Sequence, residues 1–98
     1  MSELRERAEE LMVEAVKLAR SGEVELSRKY VRLALTYVAK GRVRLPREMR
    51  RSYCRRCFSP LVLGLTESRR VKRKTLIRRC LLCGWVRRYR LRGQTEES

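Results

Sequence analysis

Leu4, Ala8, Leu11, Ala15 and Leu18 recur at steps of four and three through the first twenty residues, with Met12 and Ala19 widening the stripe. That is the spacing of one helix face, and it predicts a helix from Glu3 to Arg20. Ser2 is placed to cap it, the glutamates crowd toward the end where the helix dipole favours them, and Ser21-Gly22 stops it. A second stripe of Leu26, Tyr30, Leu33 and Tyr37, broadened by Ala34 and Val38, runs to a stop at Lys40-Gly41. Two such helices form a hairpin and bury their stripes against each other. A lone pair cannot cover both broad stripes, so apolar surface is left over for a protein partner, with Leu11, Leu18, Leu26, Tyr30, Leu33 and Tyr37 as the candidates.

Beyond Gly41 the period changes. Arg42-Val43-Arg44-Leu45-Pro46 alternates as an extended connector, and Pro46 keeps Leu45 out of helix and opens a short turn through Arg51. Three short strands are expected after it: Leu61 to Leu63 before Gly64, Val71 to Arg79, and Trp85 to Arg92. In the third, Trp85, Arg87, Tyr89 and Leu91 share one face, and Val86, Arg88, Arg90 and Arg92 the other. Trp85 and Tyr89 are expected to fill the core of this unit.

Between the strands stand all four cysteines of the chain, as Cys54-Arg55-Arg56-Cys57 and, after 22 intervening residues, Cys80-Leu81-Leu82-Cys83-Gly84. Two Cys-x-x-Cys pairs at this separation fit a closed structural zinc site, in which Cys54, Cys57, Cys80 and Cys83 supply four thiolates and no position stays open for substrate. Two disulfides or a redox pair are the alternatives. A reducing compartment disfavours the first, and a redox motif normally comes singly beside a βαβ pattern. The expected architecture is a small α+β protein: an N-terminal two-helix hairpin (1–41) for partner docking, a basic connector (42–52), and a four-cysteine zinc ribbon (53–92) with a three-stranded antiparallel sheet that binds RNA. Residues 93–98 are expected to be a disordered tail.

Charge separates the two halves further. Residues 1–41 carry eight basic and seven acidic side chains, whereas residues 42–98 carry 18 and four, and the whole chain has a net charge of +15. Such a balance points to nucleic acid. No apolar run approaches a membrane span and no secretory leader is evident, so a cytoplasmic protein is expected, with neither a membrane nor a small-molecule substrate as partner. The chain contains no His, Asp or Asn. The usual general bases and the paired carboxylates of magnesium nucleases are therefore lacking, and no catalytic residue is assigned.

The RNA-binding candidates cluster along the basic half. Arg42, Arg44, Arg47, Arg50 and Arg51 precede the first cysteine pair, Arg55 and Arg56 lie within it, Arg69, Arg70, Lys72 and Arg73 lie between the pairs, and Arg87 and Arg88 follow the second. Arginine forks suit bidentate phosphate contact and stacking on bases. Helices long enough to fill a major groove are not expected here, so recognition of RNA by shape and backbone fits better than sequence-specific DNA reading.

The order of Arg28-Lys29-Tyr30-Val31-Arg32-Leu33-Ala34, Val43-Arg44-Leu45-Pro46, Arg50-Arg51-Ser52-Tyr53-Cys54-Arg55-Arg56-Cys57, Leu61-Val62-x-Gly64 and Cys80-x-x-Cys83-Gly84 with Arg87-Arg88-Tyr89 resembles archaeal ribonuclease P protein component four. The resemblance covers about residues 4 to 91. It implies a non-catalytic zinc-ribbon subunit of the ribonucleoprotein that removes the 5′ leader from precursor tRNA, the catalysis residing in the RNA and its magnesium. It implies as partners ribonuclease P RNA, precursor tRNA and, through the helical half, ribonuclease P protein component one. Cys54, Cys57, Cys80 and Cys83 match that family's zinc ligands, and Arg44, Arg47, Arg50, Arg51, Arg87 and Arg88 match its basic positions. Leu63 stands where the family usually has proline, and Arg90-Leu91 replaces a frequent Pro-Tyr. The rival reading is a zinc-ribbon RNA- or DNA-binding factor of the ribosome or transcription machinery.

Overall fold

The structure is a computed structural model that describes residues 2–91. The expected cap by the Ser2 side chain, the strand end at Arg92 and the tail 93–98 lie outside the described residues. Two helices, α1 (Ser2–Arg20) and α2 (Val24–Gly41), form the hairpin that the periodicity predicts. Gly22, with φ 91°, makes the left-handed turn between them, and the Glu23 N–H closes back on the Leu18 carbonyl at 2.8 Å.

The helices meet on faces centred one residue away from the leucine stripes. Ala8, Met12, Ala15 and Ala19 of α1 and Ser27, Val31 and Ala34 of α2 are buried, while Leu4, Leu11 and Leu18 are half-buried at the flank of the contact. Small side chains let the two backbones approach closely, which a leucine seam would prevent. In consequence Leu26 and Leu33 are turned outward, 40% and 44% exposed, with Tyr30 and Tyr37 half-buried beside them. Gly41 also departs from the sequence expectation. It stays helical, and the left-handed residue is Arg42 at φ 50°. A Cβ on Gly41 would lie 2.8 Å from Leu4 Cδ1, so this glycine serves the close approach of the start of α1 to the end of α2.

The connector is packed rather than draped. Leu45 is buried in the same core as Ala8, Met12, Ala15, Val31, Ala34 and Tyr53, and Met49 and Phe58 pack against it. Pro46 opens the short helix α3 (Arg47–Arg50). The Tyr53 and Phe58 rings lie nearly parallel, 6.4 Å apart, and Arg32 of α2 sits over Phe58 at 5.3 Å. Helices, connector and first cysteine pair therefore share one core. No helix among the described residues is long and apolar enough to cross a membrane.

The sheet has three antiparallel strands in the order β1 (Glu67–Lys72), β2 (Thr75–Cys80) and β3 (Val86–Arg90). The strand count matches the expectation, but two strand assignments are corrected. Leu61 to Leu63 forms no strand of the sheet: Leu63 makes only an isolated bridge to Glu67, and the Val62 carbonyl accepts the N–H groups of Leu65, Thr66 and Glu67, which closes a turn over residues 64–66. Buried Thr66 fixes this turn by accepting from the Val62 N–H and donating to the Pro60 carbonyl, each at 2.7 Å. The long second strand is instead a hairpin. Lys72 pairs with Thr75 across Arg73-Lys74, whose φ values of 53° and 61° are those of a mirror-image two-residue turn. That turn normally announces itself as Asn-Gly, and two basic residues gave no such signal.

Candidate metal centre and nucleic-acid interface

Both cysteine pairs are built alike. Phe58 and Gly84, each just after its second cysteine, have positive φ (65° and 86°) and return an N–H to the carbonyl of the first cysteine, Cys54 or Cys80, at 2.8 Å. The N–H of Cys54 donates to the Ser59 carbonyl and that of Cys80 to the Trp85 carbonyl, so the two turns face each other as near copies. Phe58 takes the conformation usual for glycine and is held there by its packing on Tyr53 and under Arg32.

The four Sγ atoms all lie within 4.8 Å of one another, with Cys54 to Cys83 at 3.5 Å and Cys57 to Cys80 at 3.7 Å. A tetrahedral ion bonded to sulfur at about 2.3 Å sets its ligands about 3.8 Å apart, so the donor set fits such an ion. The N–H groups of Arg56 and Cys57 point at Cys54 Sγ, at 3.3 and 3.4 Å. Burial pushes the Cys54 thiol up to about 12 and raises Cys83 as well. Burial acts the same way on Cys57, but the Ser59 hydroxyl 3.1 Å from its sulfur, the Ser59 backbone and the neighbouring cysteines outweigh it and bring it down to about 6. Fully buried Ser59 is thus an outer support of the centre that spacing alone does not reveal.

Over this centre lies an arginine-aromatic groove. The register sets Arg69, Arg78 and Arg87 side by side across the three strands, on the same face as Glu67, Cys80 and Tyr89. Glu67 is fully buried and accepts from Arg78 Nε and, at 3.2 Å, from Arg69 Nε. Three guanidinium groups crowd the Tyr89 ring: Arg51 at 4.3 Å, Arg87 at 5.5 Å and Arg78 at 5.8 Å. Arg87 also lies over Trp85 at 5.4 Å, and Arg55 over Tyr53 at 5.6 Å. Trp85 and Tyr89 are therefore half-buried rings lining, with Arg50, Arg51, Arg55 and Arg87, a shallow groove whose interior crevice of about 10 Å³ holds no more than a water, which corrects their expected place in the core. The reason is the connector: it folds back onto this sheet face and brings cations where a third layer of apolar side chains would otherwise be needed.

The sequence candidates divide by location. Arg50, Arg51, Arg55 and Arg87 converge on the groove, and Arg69 is held at its margin by Glu67. Arg42, Arg44, Arg47 and Arg50 converge instead on a cleft between the connector and α1. Arg70, Lys72 and Arg73 are exposed on the edge strand and its turn, Arg88 is on the opposite sheet face, and Arg56 is exposed at the tip of the first cysteine pair. Arg78 was not among the candidates. Its signal was its parity with Cys80, two residues on along one strand, which directs it to the same face as an inward ligand.

The sequence pattern of the RNAse P Rpr2/Rpp21/SNM1 subunit domain matches residues 7–84. The chain is 50% identical over 92 residues to ribonuclease P protein component 4 of Sulfolobus acidocaldarius, covering 94% of this chain and 78% of that protein. It is 46% identical over 91 residues to the component 4 of Sulfurisphaera tokodaii, covering 93% and 84%. Among solved structures it is similar to a chain in a cryo-EM structure of archaeal ribonuclease P with mature tRNA, with a TM-score of 0.84 at 30% identity over 96% of this chain and 81% of that one. It is also similar to Pfu Rpp21, with a TM-score of 0.65 at 36% identity over 86% and 94%.

Proposed function

The chain belongs to the RNAse P Rpr2/Rpp21/SNM1 subunit family, and from that membership we propose how it serves ribonuclease P: as a non-catalytic, zinc-stapled subunit that supports the catalytic RNA during 5′ leader removal from precursor tRNA. The observation that carries this reading is the groove of Arg50, Arg51, Arg55 and Arg87 over Trp85 and Tyr89, built on the four-cysteine centre. Guanidinium groups there neutralise phosphates, and the rings beneath hold those groups in place by cation–π contact.

Four thiolates in a closed tetrahedral arrangement suit zinc, and Cys54, Cys57, Cys80 and Cys83 would hold it. Bound there it would supply structure only, locking the two turns that Cys54 and Cys80 open and with them the frame at which β2 ends and from which β3 leaves. The chain's own contribution to the reaction is electrostatic. The basic side chains between Arg42 and Arg92, buried and paired Arg78 apart, reduce phosphate repulsion in the folded RNA, a task otherwise left to magnesium. On the helical half, the outward Leu26 and Leu33 with Tyr30, Tyr37, Leu11 and Leu18 form the docking surface for ribonuclease P protein component one.

Reconstitution tests this reading. The metal-loaded chain by itself is expected to leave precursor tRNA intact, and its addition with component one to the RNA is expected to lower the magnesium concentration needed for cleavage. Cleavage by the protein in the absence of RNA, or an unchanged magnesium requirement, would overturn it.

A further inference from the structure

A cleft of about 650 Å³ opens on another side of the connector, lined by Arg5, Arg42, Arg44, Arg47 and Arg50 with Gly41 and Leu45. Its size is that of a small-molecule site, but a wall of five guanidinium groups and a wide mouth suit a strand of phosphates rather than an apolar ligand. The charge is poorly offset. Among the described residues, exposed Arg5 has one partner, half-buried Glu9 at 3.4 Å, a pair that solvent screens. Arg50 Nε is buried with no hydrogen-bond partner among the described residues. Arg50 also lines the aromatic groove, so one side chain joins the two concavities.

The fold has built this cleft from both halves of the molecule. Arg5 lies on α1, in the half where acidic and basic side chains nearly balance, and nothing in its sequence context marks it as an RNA contact. The missing side chain of Gly41 lets Leu4 pack against the end of α2, and that contact brings the neighbouring Arg5 to the mouth of the connector.

We propose that the cleft is a second RNA site, which takes the phosphodiester backbone of a strand passing over Arg50 toward the guanidinium groups above Tyr89, with Arg5 as the cleft's outer wall. This rests on the reading of the chain as an RNA-supporting subunit and extends its contact surface onto the helical half. The strand belongs either to ribonuclease P RNA or to precursor tRNA, and the chemistry of recognition is the same for both.

The test is the salt dependence of binding by the full metal-loaded chain, measured separately on a ribonuclease P RNA transcript and on a precursor tRNA transcript, with circular dichroism as the check on folding. Arg5→Ala is expected to reduce the slope of log affinity against log salt by roughly 0.7–0.9 on the RNA that occupies the cleft. Arg5→Lys, which keeps the charge, is expected to preserve the slope, and Arg20→Ala, at the far end of the same helix, to leave it unchanged. If Arg5→Ala and Arg42→Ala leave the slope intact on both RNAs while Arg87→Ala lowers it, the cleft is not an RNA site although the groove is. If Arg87→Ala has no effect either, the RNA-binding reading itself fails.

Discussion

In the helical hairpin the buried set is Ala8, Met12, Ala15, Ala19, Val31 and Ala34 with one serine, whereas in the ribbon it is Tyr53, Cys54, Ser59, Pro60, Thr66, Glu67, Arg78 and Cys80. The first list is an apolar core made by close helix contact. Beyond Tyr53 and Pro60 the second holds little that the hydrophobic effect would gather, and its members are joined by a cluster of four cysteines that could hold a metal, by hydroxyl bonds and by a buried ion pair. The two faces of a three-stranded sheet cannot be enclosed by so few apolar residues, so polar bonds, with the metal that the four cysteines could hold, take in the ribbon the part that packing takes in the hairpin. The difference suits the division of work. The ribbon leaves Leu63, Leu65, Val71, Leu81 and Leu82 exposed among its arginines, as a unit can whose shape rests more on bonded polar groups than on keeping water from apolar ones.

The contrast is tested hardest by removing the metal. Structural zinc in small peptides is worth about 10–16 kcal/mol, more than the stability of a typical domain. A strong chelator is therefore expected to unfold the ribbon, seen as a shift in Trp85 fluorescence, while most of the helical circular dichroism persists. Simultaneous loss of both signals would show that the seam of Leu45, Tyr53 and Phe58 makes the halves one cooperative unit, and would erase the distinction.

A smaller effect is expected from Glu67→Gln in metal-loaded protein. It leaves the Arg78 guanidinium buried without its carboxylate, at a cost of about 3–5 kcal/mol in a thermal melt. The double change Glu67→Leu with Arg78→Leu removes both charges and is expected to cost much less. Equal losses from the two variants would mean that the ion pair is not what organises the sheet face under Tyr89. The smallest effect on stability belongs to the outward leucines: Leu26→Ala and Leu33→Ala are expected to change the melt by no more than about 0.5 kcal/mol, while weakening a titration with component one. Unaltered partner affinity would separate these residues from the docking surface.

The legibility of the fold differs along the same divide. The cysteine pairs could be read because ligand spacing is a strict geometric demand, and the helices because a period of 3.6 leaves a visible stripe. The stripe overstated the leucines, however: Ala8, Ala15 and Ala34 take the centre because close approach of two backbones rewards small side chains, which hydrophobicity alone does not rank. The Arg73-Lys74 turn was hidden because its positive φ values fall on residues that do not prefer them. Arg78 was hidden because an arginine in a basic run reads as solvated until a buried carboxylate is found opposite it.

What the amino-acid order by itself determined is local: two amphipathic helices, a chain break in charge near Gly41, and four thiolates whose spacing demands a closed site, all of which depend on neighbours a few residues apart or on a fixed ligand geometry. Only the tertiary structure decided which cations act together. The connector's return onto the sheet gathers Arg50, Arg51 and Arg87 around Tyr89, and the contact between Leu4 and Gly41 carries Arg5 to the cleft. Those placements depend on the path of the backbone through space, and guanidinium groups distant in sequence become one surface only when a shared core draws their elements together.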